Sequence, residues 1–303
     1  MRAAREPRGE RVSAARARIE SCRPEQRAAF EALKGGFAAR VAELDVPGSE
    51  RYLALAWGSL SHALQRLLLP APTFAFLQHP LFLFMMAGGD VPTELANVRN
   101  GPFSGKPELL MEDAVGEVPG LVVSCLSSVN QLHHLSDLSW LCGTTRCRLE
   151  KLGTIVEWGG GYGGMAKLLR RLRPGVTYVL IDIPLIGCIQ WLYLASIFGA
   201  EAVHQIRSGS DVIRPGRINL LPLPFLELHG GLRADLFVST FALDESSAFA
   251  RDFVVSRRWF SARHLLLAGD DRLADAGGIM AAAARRGARL ESGTRSGQSY
   301  ALL

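Results

Sequence analysis

Between Thr154 and Asp182 the chain reads TIVEWGGGYGGMAKLLRRLRPGVTYVLID, and few folds accommodate such a run. Thr154 to Trp158 is a short apolar stretch suited to a buried strand. It stops at six residues of which five are glycine, Gly159 to Gly164 with only Tyr162 intervening. Glycine has no Cβ and tolerates positive φ, so the chain can reverse tightly and present bare N–H groups beside a helix N-terminus, where the dipole is positive. A helix is predicted at once, with Met165, Leu168, Leu169 and Leu172 on one face, Lys167, Arg170, Arg171 and Arg173 on the other, and Pro174-Gly175 ending it. Val176 to Ile181 then reads as a second buried strand that delivers Asp182 at its C-terminal end. In an open parallel sheet that end is where ligands bind, and an acid there is placed to accept hydrogen bonds from the two hydroxyls of a ribose.

Three readings fit this unit. Gly159, Gly161 and Gly164 satisfy the G-x-G-x-x-G dinucleotide pattern with Asp182 about 20 residues on, which makes an NAD(P)-dependent oxidoreductase one reading. Against it stands Glu157, two residues before the first glycine, because a carboxylate beside a pyrophosphate is repelled. S-adenosylmethionine carries an ammonium, a sulfonium and a ribose but no phosphate, so both acids find positive or donor groups. The third reading is a structural glycine turn behind a core-facing acid.

The motif E-x-G-G-G-x-G resembles motif I of the class I S-adenosylmethionine-dependent methyltransferases. With the strand ending Asp-Ile-Pro, the apolar run IQWLYLASIFGA and the segment ADLFVSTFALDES, it is similar to a bacterial family of sugar O-methyltransferases. Asp235 and Glu245 match that family's fourth-strand segment, while Ser239 stands for its usual Asn and Ser246 for its Met. The resemblance covers roughly residues 100 to 260 and is specific only around Glu157 to Pro184. It implies an α/β fold with a seven-stranded Rossmann-like sheet and an N-terminal, mainly helical cap. It also implies S-adenosylmethionine as cofactor and a sugar or glycosylated metabolite as acceptor. The residues given to the cofactor are Glu157, Gly159, Gly160, Gly161, Tyr162, Gly163, Asp182, Ile183, Ser239 and Thr240. A cofactor-binding but catalytically idle partner subunit is the remaining alternative.

The 303 residues are 48% apolar and 21% charged, a soluble globular balance. The net charge of +5 is spread along the chain, so nucleic acid is not an expected partner. Of 34 basic residues only four are lysine, a skew that fits a GC-rich bacterial genome. Cys22, Cys125, Cys142, Cys147 and Cys188 lack metal or disulfide spacing. With no signal peptide and no apolar run of ~20 residues, a cytoplasmic protein without a membrane partner is expected, with a homodimer allowed.

The cap is assigned to residues 1–150 and the methyltransferase domain to 151–303. Residues 1 to about 12 read as a frayed, charged terminus. Helix is predicted from Ser13 to about Leu44, divided by Pro24, and again from Glu50 to Leu69 with Ser49 as N-cap. Phe74 to Met86, with four phenylalanines, reads either as an aromatic pocket wall or, preferred, as a buried helix. Gly88 to Gly105 reads as a loop able to close over a site, and Val118 to Leu141 as an apolar-periodic segment. Beyond Asp182 the pattern predicts a helix from Pro184 to about Phe198 and a third strand at Ile218 to Leu221, preferred over Val203 to Ile206. A strand from Asp235 to Thr240, a helix from Asp244 to Arg258, a strand at His264 to Ala268, a helix near Gly278 to Arg286 and two closing strands complete it.

An alcohol acceptor must lose a proton as it attacks a methyl group, which calls for a base nearby. Glu245, with Asp244, follows the fourth strand and is the first candidate, although an acid at a helix N-terminus explains it equally. His133 and His134, with a solution pKa near 6.5, are the second. No His/Asp/Glu set has metal-ligand spacing, so metal-independent chemistry is expected.

Overall fold

Near-continuous apolar strands are stable only where both faces are covered. Six such runs form the parallel part of one sheet in the computed structural model, which describes residues 8–86, 89–118, 127–270, 278–293 and 297–303. They are β1 (Thr154–Trp158), β2 (Thr177–Asp182), β3 (Val203–Gln205), β4 (Ile218–Pro222), β5 (Leu236–Thr240) and β6 (His264–Asp270). β7 (Arg289–Ser292) and β8 (Gln298–Leu302) complete the order β3-β4-β2-β1-β5-β6-β8-β7, with β8 antiparallel to both its neighbours. The chain runs outward from β1 through β2 to β4, then returns to the other side of β1 as β5. The crevice at such a reversal lies beyond the C-terminal strand ends.

The described helices are α1 (Arg8–Lys34), α2 (Phe37–Leu44), α3 (Leu55–Leu68), α4 (Pro80–Met85), α5 (Val91–Asn100), α6 (Val129–Thr144), α7 (Gly164–Leu172), α8 (Pro184–Phe198), α9 (Ala248–Ser256) and α10 (Ile279–Arg285). α8 is buried from Leu185 to Ser196 without a polar face, because it is sandwiched between the sheet and α1 and α2. α6 packs on α7 and on α5, and one apolar cluster runs continuously from Phe30 to Leu302.

Among the described residues the sheet has eight strands rather than seven. Ile218–Pro222 is the strand beside β2, as preferred, and Val203–Gln205 adds a short edge strand outside it. Pro24 lies inside a continuous α1 and the break falls at Gly35-Gly36; Gln26 bonds to Asp113 at 2.9 Å and to the Ala114 amide at 2.9 Å, anchoring the turn after the proline. The start of the Glu50–Leu69 helix is a 3-10 turn over Glu50–Tyr52, with α3 beginning at Leu55. Within the expected Gly88–Gly105 loop, Val91–Asn100 is helical, started by Asp90, whose carboxylate accepts from the Thr93 amide. Gly88 itself, residues 1–7 and the 119–126 part of the Val118–Leu141 segment, with Cys125, lie outside the described residues. Within Phe74–Met86 the buried aromatics are core, Phe74 and Phe76 packing on Phe30 and Phe76 on Phe82 and Tyr193, while Leu83 is exposed and Met86 lines the cavity at the C-terminal strand ends.

Lys167 departs most from its expected solvent position. It is fully buried, with Nζ at 2.5 Å from Glu112 and 3.5 Å from Asp113. Arg171 also pairs with Asp113 at 2.8 Å, and Ser128 donates to Glu112. Burial alone lowers an ammonium's pKa, but the two carboxylates outweigh it and hold Lys167 above its usual value. The polar face of α7 thus becomes the seam on which Met111, Glu112 and Asp113 are seated, with Ser128 bonded to Glu112.

Candidate active site

The glycine turn opens onto a cavity of about 770 Å³ at the C-terminal ends of β1, β2 and β5. Gly159, Gly161 and Gly163 have φ of +71°, +54° and +101°, the left-handed region that glycine enters without a Cβ penalty. At Gly159 a Cβ would lie 2.1 Å from Ala242 Cβ, so the turn after β5 seats directly on the glycine turn. At Gly161 it would meet nothing within 4 Å, which marks the open side. α7 starts immediately after Gly163.

The two strand acids flank this turn. Glu157 is buried and accepts from the Tyr178 hydroxyl at 2.8 Å. Burial first, with Asp182 adding, pushes its pKa up to about 8 against the lowering effect of Tyr178. Asp182 Oδ1 accepts from the Ile183 amide and Oδ2 from Gln190 Nε2, each at 2.8 Å, while burial pushes it up to about 7. Gln190 also donates to the Gly161 carbonyl at 2.9 Å, tying turn to acid, and its own Oε1 has no partner among the described residues. A lone amide in an otherwise apolar helix is a signal the sequence offers, and sequence reasoning passed over it.

Glu157, Gly159, Gly160, Gly161, Tyr162, Asp182, Ile183 and Thr240 line the cavity. Gly163 and Ser239 do not: Gly163 packs on Leu194 and caps α7, and the buried Ser239 hydroxyl donates to the Trp158 carbonyl at 3.3 Å and accepts from the Leu243 amide at 3.0 Å. Phe241 follows on the wall with φ +70°, a strained conformation for a bulky residue.

The far side of the cavity is built from chain-distant pieces. Leu53 bridges Ser246, the Ser247 amide donates to the Tyr52 carbonyl at 3.1 Å, and Trp158 Nε1 donates to Ser246 Oγ at 3.0 Å. This seats the segment before α3, and Trp57 on α3, against the turn that carries Glu245. Glu245 lies in that turn, ahead of α9, whose N-cap is Ser247, so the helix-terminus explanation for this acid does not hold. Burial raises its pKa, the hydrogen bond to Trp57 lowers it, and Asp244 and Asp270 raise it again. Asp244 is off the wall; its Oδ2 accepts from the Asp270 amide at 3.1 Å.

Both histidines are buried in α6, and neither titrates near neutrality as expected from solution values. His133 lies behind the wall with Nδ1 at 2.5 Å from Glu94 and Nε2 at 3.6 Å from Asp137. Burial lowers its pKa, but Asp137 and Glu94 more than reverse this and push it up to about 9. His134 does reach the cavity, where burial, then the charges of His133 and Lys167, press it down to about 3. Asn130 Nδ2 lies 3.2 Å from His134 Nε2 and donates to Tyr162 Oη at 3.0 Å. Among the described residues no group of His, Cys, Asp and Glu could hold a metal ion, and no helix is long and apolar enough to cross a membrane.

Seven strands running one way, with antiparallel β8 inserted before the edge strand β7, over a cavity at the reversal point, define the class I methyltransferase, Rossmann-like fold. No family model matches the chain, and no curated protein does. Among solved structures it is similar to an O-methyltransferase family protein from Burkholderia thailandensis at 14% identity and TM-score 0.37, covering 57% of this chain and 59% of that one. Mitomycin 7-O-methyltransferase MmcR is similar at 14% identity and TM-score 0.35, over 88% of this chain and 72% of that one. Magnesium protoporphyrin IX methyltransferase from Synechocystis PCC 6803, with bound S-adenosylmethionine, is similar at 15% identity and TM-score 0.37, over 71% and 97%. The chain therefore spans about three fifths of the Burkholderia protein's length. These scores are too low to carry weight, and the fold assignment rests on strand order and register.

Proposed function

We propose that this protein is an S-adenosylmethionine-dependent O-methyltransferase acting on a hydroxyl of a sugar or glycosylated small-molecule metabolite in the cytoplasm. The observation that carries the donor is the pair of acids, Glu157 and Asp182, on either side of a positive-φ glycine turn whose open face is at Gly161. Two carboxyls there repel a pyrophosphate and attract an ammonium or ribose hydroxyls, which disfavours a nicotinamide cofactor. The open space at Gly161 fits a ligand seated against the glycine turn. The cofactor is held in this reading by Glu157, the Gly159–Gly161 backbone, Asp182 and Ile183. When bound it supplies an already activated methyl group on sulfonium. The sugar acceptor rests on the sequence resemblance.

The chain's own residues supply alignment, exclusion of water and a base. Tyr52, Leu53 and Trp57 wall the acceptor side, holding the hydroxyl in line with the methyl group. Glu245 is the group that takes the hydroxyl proton, its carboxyl held in reserve by a raised pKa. His133, paired with Glu94 and Asp137, instead fixes α6 beneath the wall. The residues before Glu150 form the cap in this reading.

Calorimetric titration with S-adenosylmethionine and, separately, with NADH and NADPH tests the donor. Binding of the first alone is expected; binding of a nicotinamide nucleotide in its place would reverse the assignment.

A further inference from the structure

We infer that Asn130, on α6, belongs to the donor site and accepts a hydrogen bond from the α-ammonium of the donor's amino-acid end. The inference rests on the methyltransferase reading and adds a residue to it. Asn130 is 4% exposed and lines the cavity together with His134 and Tyr162. Ser128 caps α6 by accepting from the Gln131 amide at 3.0 Å, and α6 packs on α7, so the Asn130 side chain reaches the end of the glycine turn. A Cβ at Gly164 would lie 3.2 Å from Asn130 Nδ2 and 3.0 Å from Tyr162 Oη. Both hydrogens of Nδ2 are committed, one to Tyr162 Oη at 3.0 Å and one to His134 Nε2 at 3.2 Å. The His134 ring is neutral and keeps a lone pair to receive the second. Oδ1 accepts from no described residue and is not among the buried unpartnered atoms, which leaves it to whatever fills the cavity.

The two ends of the glycine turn differ in chemistry. Asp182, the acid read as the ribose partner, meets the turn at the Gly160 amide, and beside it the wall is Ile183, Ile186 and Leu223, an apolar seat that suits a purine. Asn130 meets the turn at Gly164, where the wall is polar with Tyr162 and His134. A donor with its ribose at Asp182 therefore runs along the turn with its amino-acid end towards Asn130. An ammonium has three N–H donors and no acceptor, so it binds through oxygens: Glu157 supplies a charge and Asn130 Oδ1 a neutral acceptor. The sulfonium carries no N–H, so an amide oxygen tells the two cationic centres apart. One residue of α6 thus lets the N-terminal region take part in donor binding.

The test titrates the full chain calorimetrically at neutral pH with three nucleosides. They are S-adenosylhomocysteine, its decarboxylated counterpart S-adenosyl-3-thiopropylamine, which keeps the amine, and 5′-methylthioadenosine, which lacks the whole amino-acid end. Asn130→Leu should weaken the first two by about tenfold, the scale of one hydrogen bond to a charged group, and leave 5′-methylthioadenosine unchanged, which also shows that the variant is folded. Asn130→Asp keeps the size and the oxygen, so it should keep or enlarge the advantage of the two amines over 5′-methylthioadenosine; if the leucine variant does not fold, this variant decides. Three results overturn the inference while the donor site stands: Asn130→Leu leaves all three affinities unchanged or weakens all three alike, it weakens S-adenosylhomocysteine alone, or Asn130→Asp loses the amine advantage. Failure of the wild-type protein to bind any of the three overturns the methyltransferase reading and this inference with it.

Discussion

Gln190 and Asp182 are joined by a 2.8 Å hydrogen bond, eight residues apart on α8 and the end of β2. Because the same amide holds the Gly161 carbonyl, the acid and the glycine turn are fixed relative to each other before any ligand arrives. In Asp182→Ala the Gln190–Gly161 bond remains, so the glycine turn stays tied to α8. Asp182→Ala deletes charge-assisted hydrogen bonds worth roughly 1.5–3 kcal/mol each, so S-adenosylmethionine affinity should fall at least tenfold. Unchanged affinity by calorimetry, in a mutant with wild-type circular dichroism, would remove the ribose role from this residue.

Gly161→Val should abolish donor binding in a folded protein. At φ +54° a β-branched side chain is strained, and its Cβ projects where no protein atom lies within 4 Å, into the space the ligand needs. A mutant that binds the donor normally would contradict the site as drawn.

Donor affinity should rise with pH. Glu157 at about 8 must shed its proton to receive a cation, and Asp182 at about 7 to accept from both ribose hydroxyls, so binding releases protons and tightens from about pH 6 to about pH 9. Titration in two buffers of different ionisation enthalpy measures the release directly; heats that do not depend on the buffer would show that these carboxyls do not face the donor.

The empty protein should lose thermal stability between pH 7 and 9. Glu157 has a folded pKa raised from 4.5 to about 8, and His133 from 6.5 to about 9. In each case the folded state binds the proton more tightly, so the stabilisation is complete below the unfolded pKa and vanishes as pH rises through the folded one. His134, depressed to about 3, gains stability only between about 3 and 6.5 and contributes no slope above 7. Tm measured at both pH values should drop, and Glu157→Gln should reduce the drop.

Glu245→Gln should lower kcat by about 10²–10⁴-fold with donor binding intact. Near-normal turnover with an identified acceptor would leave the reaction without a protein base at this position, since His134, pressed down to about 3, is too weak a base and His133 lies off the cavity wall.

The β1–turn–α7–β2 unit was legible in the sequence to within a residue: β1 is Thr154–Trp158 as read, and β2, read as Val176 to Ile181, runs Thr177–Asp182. These features are local. A positive φ needs glycine at the residue itself, and strand and helix periods are set over a few neighbours. The same holds for Pro184–Phe198, bounded by an N1 proline and Gly199.

What tertiary structure alone decided is charge state and accessibility. Lys167 belongs by helical period to the polar face of α7, yet Glu112, 55 residues away, buries it. His133 meets Tyr300 from 167 residues away, at 3.5 Å, and Glu94 from 39, so two adjacent imidazoles of identical solution chemistry end as one cation and one neutral ring. Glu245 faces the cavity because Leu53 bridges Ser246 across the fold. A pKa depends on the desolvation and fields of whatever surrounds the group, and those surroundings come from distant parts of the chain that no local pattern encodes.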